Sequence, residues 1–302
     1  MDGILIIDKP AGITSHDVVY RVRRILKTKR VGHTGTLDPF ATGVMVVLVG
    51  QATRLAQYLD KDVKEYEAEL TFGFETDTGD RTGERKGEEE KRGTADLKPE
   101  MIDAVLPQFR GQIEQTPPMY SAKKIDGKKL YELARKGETV ERKAVNVTIS
   151  KLEITTPLKP IDVGPGTWNL GLKVRCSAGT YIRTLAEDIG RAVGVGAHLG
   201  ELRRTAAGKF NINDARTLDE LQAMDDPASA LVPMNTAVSH LPEISLAADR
   251  VTKTRNGLST RVFETAFADG DAVRMVDDVG ELIAIGSFVA AENTVQPKVV
   301  LV

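Results

Sequence analysis

At 302 residues the chain is too long for one ordinary small domain, and its length suits one large and one small domain. Hydrophobic content of 41% supports a real core, while a formal net charge of −2 gives no global pull toward polyanions, so nucleic-acid affinity would have to come from local patches. A single cysteine, Cys176, excludes a disulfide framework and a cysteine-based zinc site, and the four histidines (His16, His33, His198, His240) show no metal-ligand spacing.

The chain opens on a short apolar run, Ile4 to Ile7, bounded by Asp8-Lys9-Pro10-Ala11-Gly12, which reads as a buried strand and a turn. No basic segment precedes that run, so it does not read as a signal peptide, and no apolar stretch reaches the ~18 residues of a membrane span. The expectation is a soluble, cytoplasmic protein. Thr14 and Asp17 form a capping-box pattern that opens a helix with Val18, Val22, Ile25 and Leu26 on one face. Six basic residues and no acidic one stand between positions 21 and 30, Arg21, Arg24, Lys27, Lys29 and Arg30 among them. Such a stripe is either a solvated helix face or a phosphate-contacting surface.

Val44 to Val49 reads as a second buried strand and Ala52 to Leu59 as a short helix. Tyr66, Ala68, Leu70 and Phe72 alternate with Glu65, Glu67, Glu69 and Thr71, a strand with one wet face that aims Tyr66 at the core or a cleft. Thr76 to Gly93 has no apolar period and carries both signs of charge, so a mobile surface insertion is expected near 73–95. Pro99 to Leu106 reads as a helix, and Lys128 to Lys136 as another, closed by Gly137. Lys123, Lys124, Lys128, Lys129, Arg135 and Lys136 make a second basic cluster.

Strands follow at Val145 to Ile154 and Leu170 to Ser177. Ala178 to Arg183 turns into a helix with Leu185, Ala186, Ile189 and Val193 facing inward, ended by Gly194. His198 to Thr205 and Lys209 to Ile212 form a returning hairpin. Asp225 to Pro242 is a loop-rich junction, placing a boundary near Leu241 between domains 1–240 and 241–302. The second is small and mostly β: a helix from Leu246 to Asn256 capped by Gly257, and strands at Ala272 to Met275 and Leu282 to Ile285 around an Asp-Asp-Val-Gly turn.

The unusual stretch is Gly32-His33-Thr34-Gly35-Thr36-Leu37-Asp38-Pro39-Phe40-Ala41-Thr42-Gly43. Gly permits backbone conformations other residues resist, and Pro39 pushes Asp38 toward an extended one. Two readings follow: a structural turn with Asp38 bonding nearby amides, or a carboxylate aimed by the backbone. The stretch lacks the Gly-Lys-Ser/Thr ending of a P-loop, and Gly194-Val195-Gly196-Ala197-His198-Leu199-Gly200 follows a helix where a dinucleotide fingerprint must follow a strand, so no nucleotide cofactor is expected. Tyr181 and Arg183 sit at a strand-to-helix turn as a core aromatic and a surface charge, or else as site residues. An arginine there could keep a cleft carboxylate ionised, and Tyr66 and Tyr181 are each suited to stacking on a base.

Taken in order, Asp8-Lys9-Pro10-x-Gly12, Gly32 to Gly43, Tyr66 in its strand, Pro117-Pro118-x-Tyr120-Ser121-Ala122-x-Lys124, Ser177-Ala178-Gly179-Thr180-Tyr181-Ile182-Arg183 and Leu202-Arg203-Arg204 resemble the TruB family of tRNA pseudouridine-55 synthases. The resemblance spans about three quarters of the chain. It implies an α+β protein: a catalytic domain with a mixed, largely antiparallel sheet (the pseudouridine synthase fold), followed by a PUA-like RNA-binding module matched only in size, strands and position. It also implies isomerisation of a flipped-out uridine in the T loop of tRNA without metal or cofactor. Asp38 would be the catalytic carboxylate and Arg183 its salt-bridge partner. Tyr66 would stack on the base and serve as general base, Tyr181 would pack beside the pocket and Leu202 would line it. His33 would fill the gap the uridine leaves. Lys9 either positions the loop or RNA backbone or is simply solvated. A guide-RNA family shares these motifs, but the chain lacks long basic extensions, favouring a stand-alone, monomeric enzyme that binds the tRNA T arm and needs no protein partner. The rivals are a non-catalytic RNA-binding protein on the same fold and a synthase acting on another RNA.

Overall fold

The computed structural model describes residues 1–59, 63–86, 97–121, 123–125, 127–134, 136–138, 140–162, 166–263 and 265–301. The apolar runs and alternating stretches become one nine-stranded sheet. Its strands are β1 (Gly3–Lys9), β2 (Val31–Thr34), β3 (Thr42–Val49), β4 (Lys64–Phe72), β5 (Gly111–Gln115), β6 (Val145–Pro160), β7 (Trp168–Cys176), β8 (Ala197–Ala207) and β9 (Phe210–Asn211). They lie in the order β1-β3-β8-β4-β7-β6-β5, with β2 added on β3 and β9 on β8. Every pairing is antiparallel except β3 with β8, so the sheet is mixed and largely antiparallel, as expected.

The parallel junction matters for the site. Arg203 and Arg204 of β8 lie beside Thr42 and Gly43 of β3, while Leu202 and Arg204 face Ala68 and Tyr66 across β4. Gly43 has φ +103°, and a Cβ there would sit 2.2 Å from the Arg204 carbonyl oxygen, so only glycine lets the two strands meet.

The capping box that opens α1 (Ser15–Ile25) is present, with Thr14 and Asp17 bonding reciprocally. This helix buries Val18, Val19 and Val22 with Leu5, Ile7, Met45 and Val47. Alternate residues of the same two strands, Ile4, Ile6, Val44, Val46 and Leu48, belong to a different cluster, so β1 and β3 are buried on both faces. The helices α2 (Pro99–Val105) and α3 (Ile182–Val193) pack with β4, β7 and β8 into a third cluster. Gly194, at φ +89°, ends α3 in the left-handed conformation.

The remaining differences from the sequence reading are local. Residues 32–34 and 42–43 belong to β2 and β3, leaving 35–41 as the loop proper. The expected helix at Lys128–Lys136 shrinks to Leu130–Ala134, preceded by a small hairpin of Lys124–Ile125 and Lys128–Lys129.

Beyond residue 241 lies a second sheet of β10 (Glu243–Ser245), β11 (Thr260–Arg261), β12 (Ala272–Val276), β13 (Leu282–Val289) and β14 (Thr294–Val300), in the order β10-β12-β13-β14-β11, with α4 (Ala248–Arg255) against it. It is not independent of the first. Val276, Leu282, Ile285, Val299 and Leu301 share a hydrophobic cluster with Ile4, Ile6, Val44, Val46 and Leu48. Polar contacts reinforce that seam: Arg274 donates from Nη1 to the Asn235 side chain at 2.6 Å and from Nε to the Leu241 carbonyl at 2.9 Å. Among the described residues no helix is long and apolar enough to cross a membrane.

Candidate active site

The loop between β2 and β3 is held from three directions. Ser15, buried at the start of α1, receives the Leu37 N–H at 3.0 Å and donates to the Leu37 carbonyl at 3.1 Å. Lys9, at the end of β1, is fully buried and donates to the carbonyls of Ala41 at 2.7 Å, Pro10 at 2.9 Å and Pro39 at 3.2 Å. Arg204 donates to the Gly35 carbonyl at 2.9 Å and to the Val44 carbonyl at 2.6 Å. The solvated reading of Lys9 is thereby corrected: its ammonium is a buried loop clamp. Burial lowers its pKa from 10.5 to about 8, with Asp38 opposing and Arg204 reinforcing the shift.

Between these clamps Asp38 meets Arg183 on α3. The Arg183 Nε lies 2.9 Å from Oδ2, and its Nη2 donates to Oδ1 at 3.2 Å. This is a two-point guanidinium–carboxylate pair. The same guanidinium donates to the carbonyls of Tyr120 at 2.7 Å and Thr78 at 2.9 Å. Burial pushes the Asp38 carboxyl above its ordinary range, against the pull of Arg183 and with a smaller push from Asp80. The side chain nevertheless keeps 32% exposure, so part of the carboxylate is open to solvent.

Asp80 is the residue the sequence reading missed. It is 4% exposed and stands 3.7 Å from the Arg183 Nη1. Thr82 holds it through N–H at 2.9 Å and Oγ1 at 2.6 Å, and Thr78 Oγ1 adds a bond at 2.9 Å. Residues 79–81 also bridge to Leu199 of β8, so this part of the expected surface loop is anchored to the sheet. The rest of that loop, 87–96, lies outside the described residues. The available signal was compositional: Thr76-Asp77-Thr78-Gly79-Asp80 repeats the glycine, small-alcohol and aspartate mixture of the Asp38 loop.

Tyr66 is 8% exposed and clusters with Leu37, Phe40 and Leu202. Arg204 is its register partner on β8, and burial raises the tyrosine's pKa against the opposing pull of the Arg204 charge, so the resting group is a neutral phenol. Leu202, 7% exposed, lies across from Ala68 in the same cluster. Tyr181 is half-buried immediately ahead of α3, its backbone gripped by the Gln115 amide at 2.7 Å and 3.0 Å. His33 sits on β2, edge-on to His16 with ring centroids 5.8 Å apart. With Thr34, Gly35, Thr36, Ala56 and Gln57 it lines a cavity of about 360 Å³ beside the loop. The structure therefore gathers Asp38, Arg183, Lys9, Tyr66 and Leu202 around one loop, with His33 on its outer flank and Tyr181 at the foot of α3.

The basic residues on α1 and just after it, Arg21, Arg23, Arg24, Lys27, Lys29 and Arg30, are all exposed, Arg23 also donating to the Val31 carbonyl at 2.8 Å. In the second cluster Arg135 lies outside the described residues, as do the side chains of Lys124, Lys128 and Lys129.

Two family models match the chain: the TruB family pseudouridylate synthase N-terminal domain over residues 23–182, and the tRNA pseudouridylate synthase B C-terminal domain over 183–239. The chain is 43% identical over 290 residues to tRNA pseudouridine synthase B of Bacillus pumilus, covering 94% of this chain and 92% of that protein. It is 42% identical to the Solibacter usitatus protein of the same name over the whole of both chains. Among solved structures, a chain from an H/ACA ribonucleoprotein bound to a substrate RNA containing 2′-deoxyuridine superimposes with a TM-score of 0.72 at 26% identity, covering 99% of this chain and 85% of that one. A chain from a Cbf5-Nop10-Gar1 complex gives the same TM-score at 27% identity and the same coverage. Fold and sequence agree: the chain belongs to the TruB family of pseudouridylate synthases.

Proposed function

We propose that this enzyme converts a uridine in the T loop of tRNA to pseudouridine, with Asp38 as its essential carboxylate. The observation that carries the reading is the two-point grip of the buried Arg183 on Asp38, a carboxylate that stays partly open to solvent. Isomerisation breaks the N1–C1′ bond, forms a C5–C1′ bond, and exchanges the proton on C5 for one on N1, so no electrons are gained or lost. Attack on C1′, attack on C6 and assisted elimination to a glycal each require the carboxylate ionised. Arg183 supplies the charge that favours this form in a desolvated pocket.

Around that centre, Tyr66 offers its ring to the flipped base, Leu202 and Tyr181 wall the pocket, and His33 occupies the space vacated in the RNA loop. Lys9 keeps the loop in shape from below. tRNA as substrate is supported by the curated relatives' name and by the exposed basic residues of α1, which suit a phosphate backbone. We assign residues 1–240 to the catalytic domain and 241–302 to a PUA-like module that helps hold the tRNA, the enzyme acting as a monomer.

The test is incubation of the protein and an Asp38→Asn variant with tRNA transcript tritiated at uridine C5, followed by mapping of the modified position. Release by the parent alone, at one T-loop position, is expected. Equal release by both would return Asp38 to a turn residue, and modification elsewhere would remove the T-loop assignment.

A further inference from the structure

Arg204 is 1% exposed and heads the largest fully buried side chains of the described protein. It lies on β8, the strand between β3 and β4, in register with Gly43 on one side and Tyr66 on the other. Its Nε donates to the Val44 carbonyl at 2.6 Å and its Nη2 to the Gly35 carbonyl at 2.9 Å, so one guanidinium ties both ends of the Asp38 loop. Tyr66, its register partner on β4, is buried beside it.

The ligands of Arg204 differ from those of the neighbouring arginines. Arg183 has Asp38 and Asp80 nearby, and Arg203 grips Asp8 at 2.7 Å and 3.1 Å. Among the described residues no carboxylate lies within ion-pair distance of Arg204. A buried charge surrounded by neutral acceptors is costly, and a neutral donor could tie two carbonyls without that cost. The charge therefore has a use beyond bracing the loop, and the partner that can respond to it is the phenol.

Resting on the function proposed above, we infer that Arg204 is a positioning residue of the isomerisation, holding the catalytic loop and the Tyr66 hydroxyl in one register. A guanidinium set against the phenol from that register position can only donate to its oxygen, which turns the phenolic hydrogen away and leaves it free to meet an acceptor on the base. The cation also polarises that O–H, offsetting in part what burial does to the phenol. Tyr66 then works as an oriented donor whose direction is set from β8.

A double-mutant cycle decides this. Single-turnover tritium release is measured, enzyme in excess, for the parent, Arg204→Lys, Tyr66→Phe and the double variant, with RNA affinity and thermal melts alongside. Arg204→Lys keeps the charge and loses the fork, so it should slow release roughly tenfold at an affinity within about twofold of the parent, and slow the Tyr66→Phe background by a clearly smaller factor, about threefold or less, which is the share owed to the loop. Equal losses in both backgrounds would mean that Arg204 only braces the loop, and would overturn the proposal. A second arm needs no change at position 204: arginine-labelled NMR spectra of the parent and Tyr66→Phe. A slowly exchanging guanidinium signal should move when the hydroxyl is removed, and an unmoved set overturns the proposal even if Arg204→Lys does not fold. If the parent itself releases no tritium, the proposed function fails, and the spectra still decide whether Arg204 holds Tyr66.

Discussion

Arg183 holds both oxygens of Asp38, through Nε at 2.9 Å and Nη2 at 3.2 Å, from the first turn of α3. That guanidinium also collects the carbonyls of Thr78 and Tyr120, so the carboxylate, the Asp80 segment and the segment before the small hairpin converge on one side chain.

Replacing Arg183 with lysine should therefore disturb more than charge. A single ammonium cannot reproduce the fork, and it leaves the Thr78 and Tyr120 carbonyls short of donors. The expected outcome is a fall in kcat of at least about a hundredfold with a smaller change in KM, and a loss of about 1–3 kcal/mol of stability. Steady-state kinetics and denaturant unfolding check both.

The raised pKa of Asp38 sets a pH dependence. An ordinary aspartate ionises around 3.8, whereas the folded Asp38 holds its proton to higher pH because burial outweighs Arg183. Single-turnover rates should fall on acidification with a midpoint above that ordinary value. For stability the sign is opposite to that of a salt-bridged aspartate. The contribution of Asp38 is most favourable below the unfolded pKa and is lost as pH rises through the folded one. Asp38→Asn should thus melt no lower than the parent at neutral pH, the difference shrinking in acid, although it abolishes turnover.

Asp80 pushes the Asp38 pKa upward. Asp80→Asn should accordingly move the acid limb of the rate profile to lower pH. It should also cost kcat roughly tenfold, since Arg183 loses the second carboxylate that fixes its orientation. An unchanged acid limb would show that the two carboxylates are not coupled through this site.

Lys9 is expected to make stability rise with pH. The folded ammonium loses its proton at about 8, the unfolded one at 10.5, so between these values the unfolded chain binds more protons and folding gains as pH increases. Lys9→Met should flatten that slope. It also deprives three carbonyls of a donor, for a loss of about 1–3 kcal/mol. Urea titrations at several pH values between neutrality and about 10 would measure the slope, the window set by ordinary lysine ionisation.

With the exposed basic residues of α1 and its end on RNA phosphates, RNA affinity should fall as salt rises. Removing one phosphate contact, by Arg21→Ala or Lys27→Ala, should lower the slope of log K against log salt by roughly one. A flat salt response in the parent would remove this surface from RNA binding.

Much of this was legible in the residues. Continuous apolar runs announced β1 and β3, the Thr14–Asp17 pair announced α1, and Gly194 marked the end of α3. The pairing of Asp38 with Arg183 followed from the family resemblance and from what a cleft carboxylate requires. What stayed hidden was buried charge. Asp80 sits in a polar stretch without period, which sequence patterning reads as surface, and its burial comes from tertiary bridges to Leu199. Lys9 and Arg204 are likewise residues that patterning assigns to water, and only the meeting of β1, β3 and β8 around one loop places them inside. The shared cluster between the two sheets was equally invisible, because a loop-rich junction at 225–242 says nothing about what packs across it.

That cluster makes β1 a common beam. Ile4 and Ile6 share one cluster with Val276, Leu282 and Ile285 of the C-terminal sheet, and the same strand ends at Lys9 under the catalytic loop. Cutting the chain after Leu241 would strip cover from one face of the first strand of the enzyme, so the two halves should melt together and the truncated chain should aggregate. Any shift of the C-terminal sheet is borne by the strand whose last residue fixes the loop that carries Asp38.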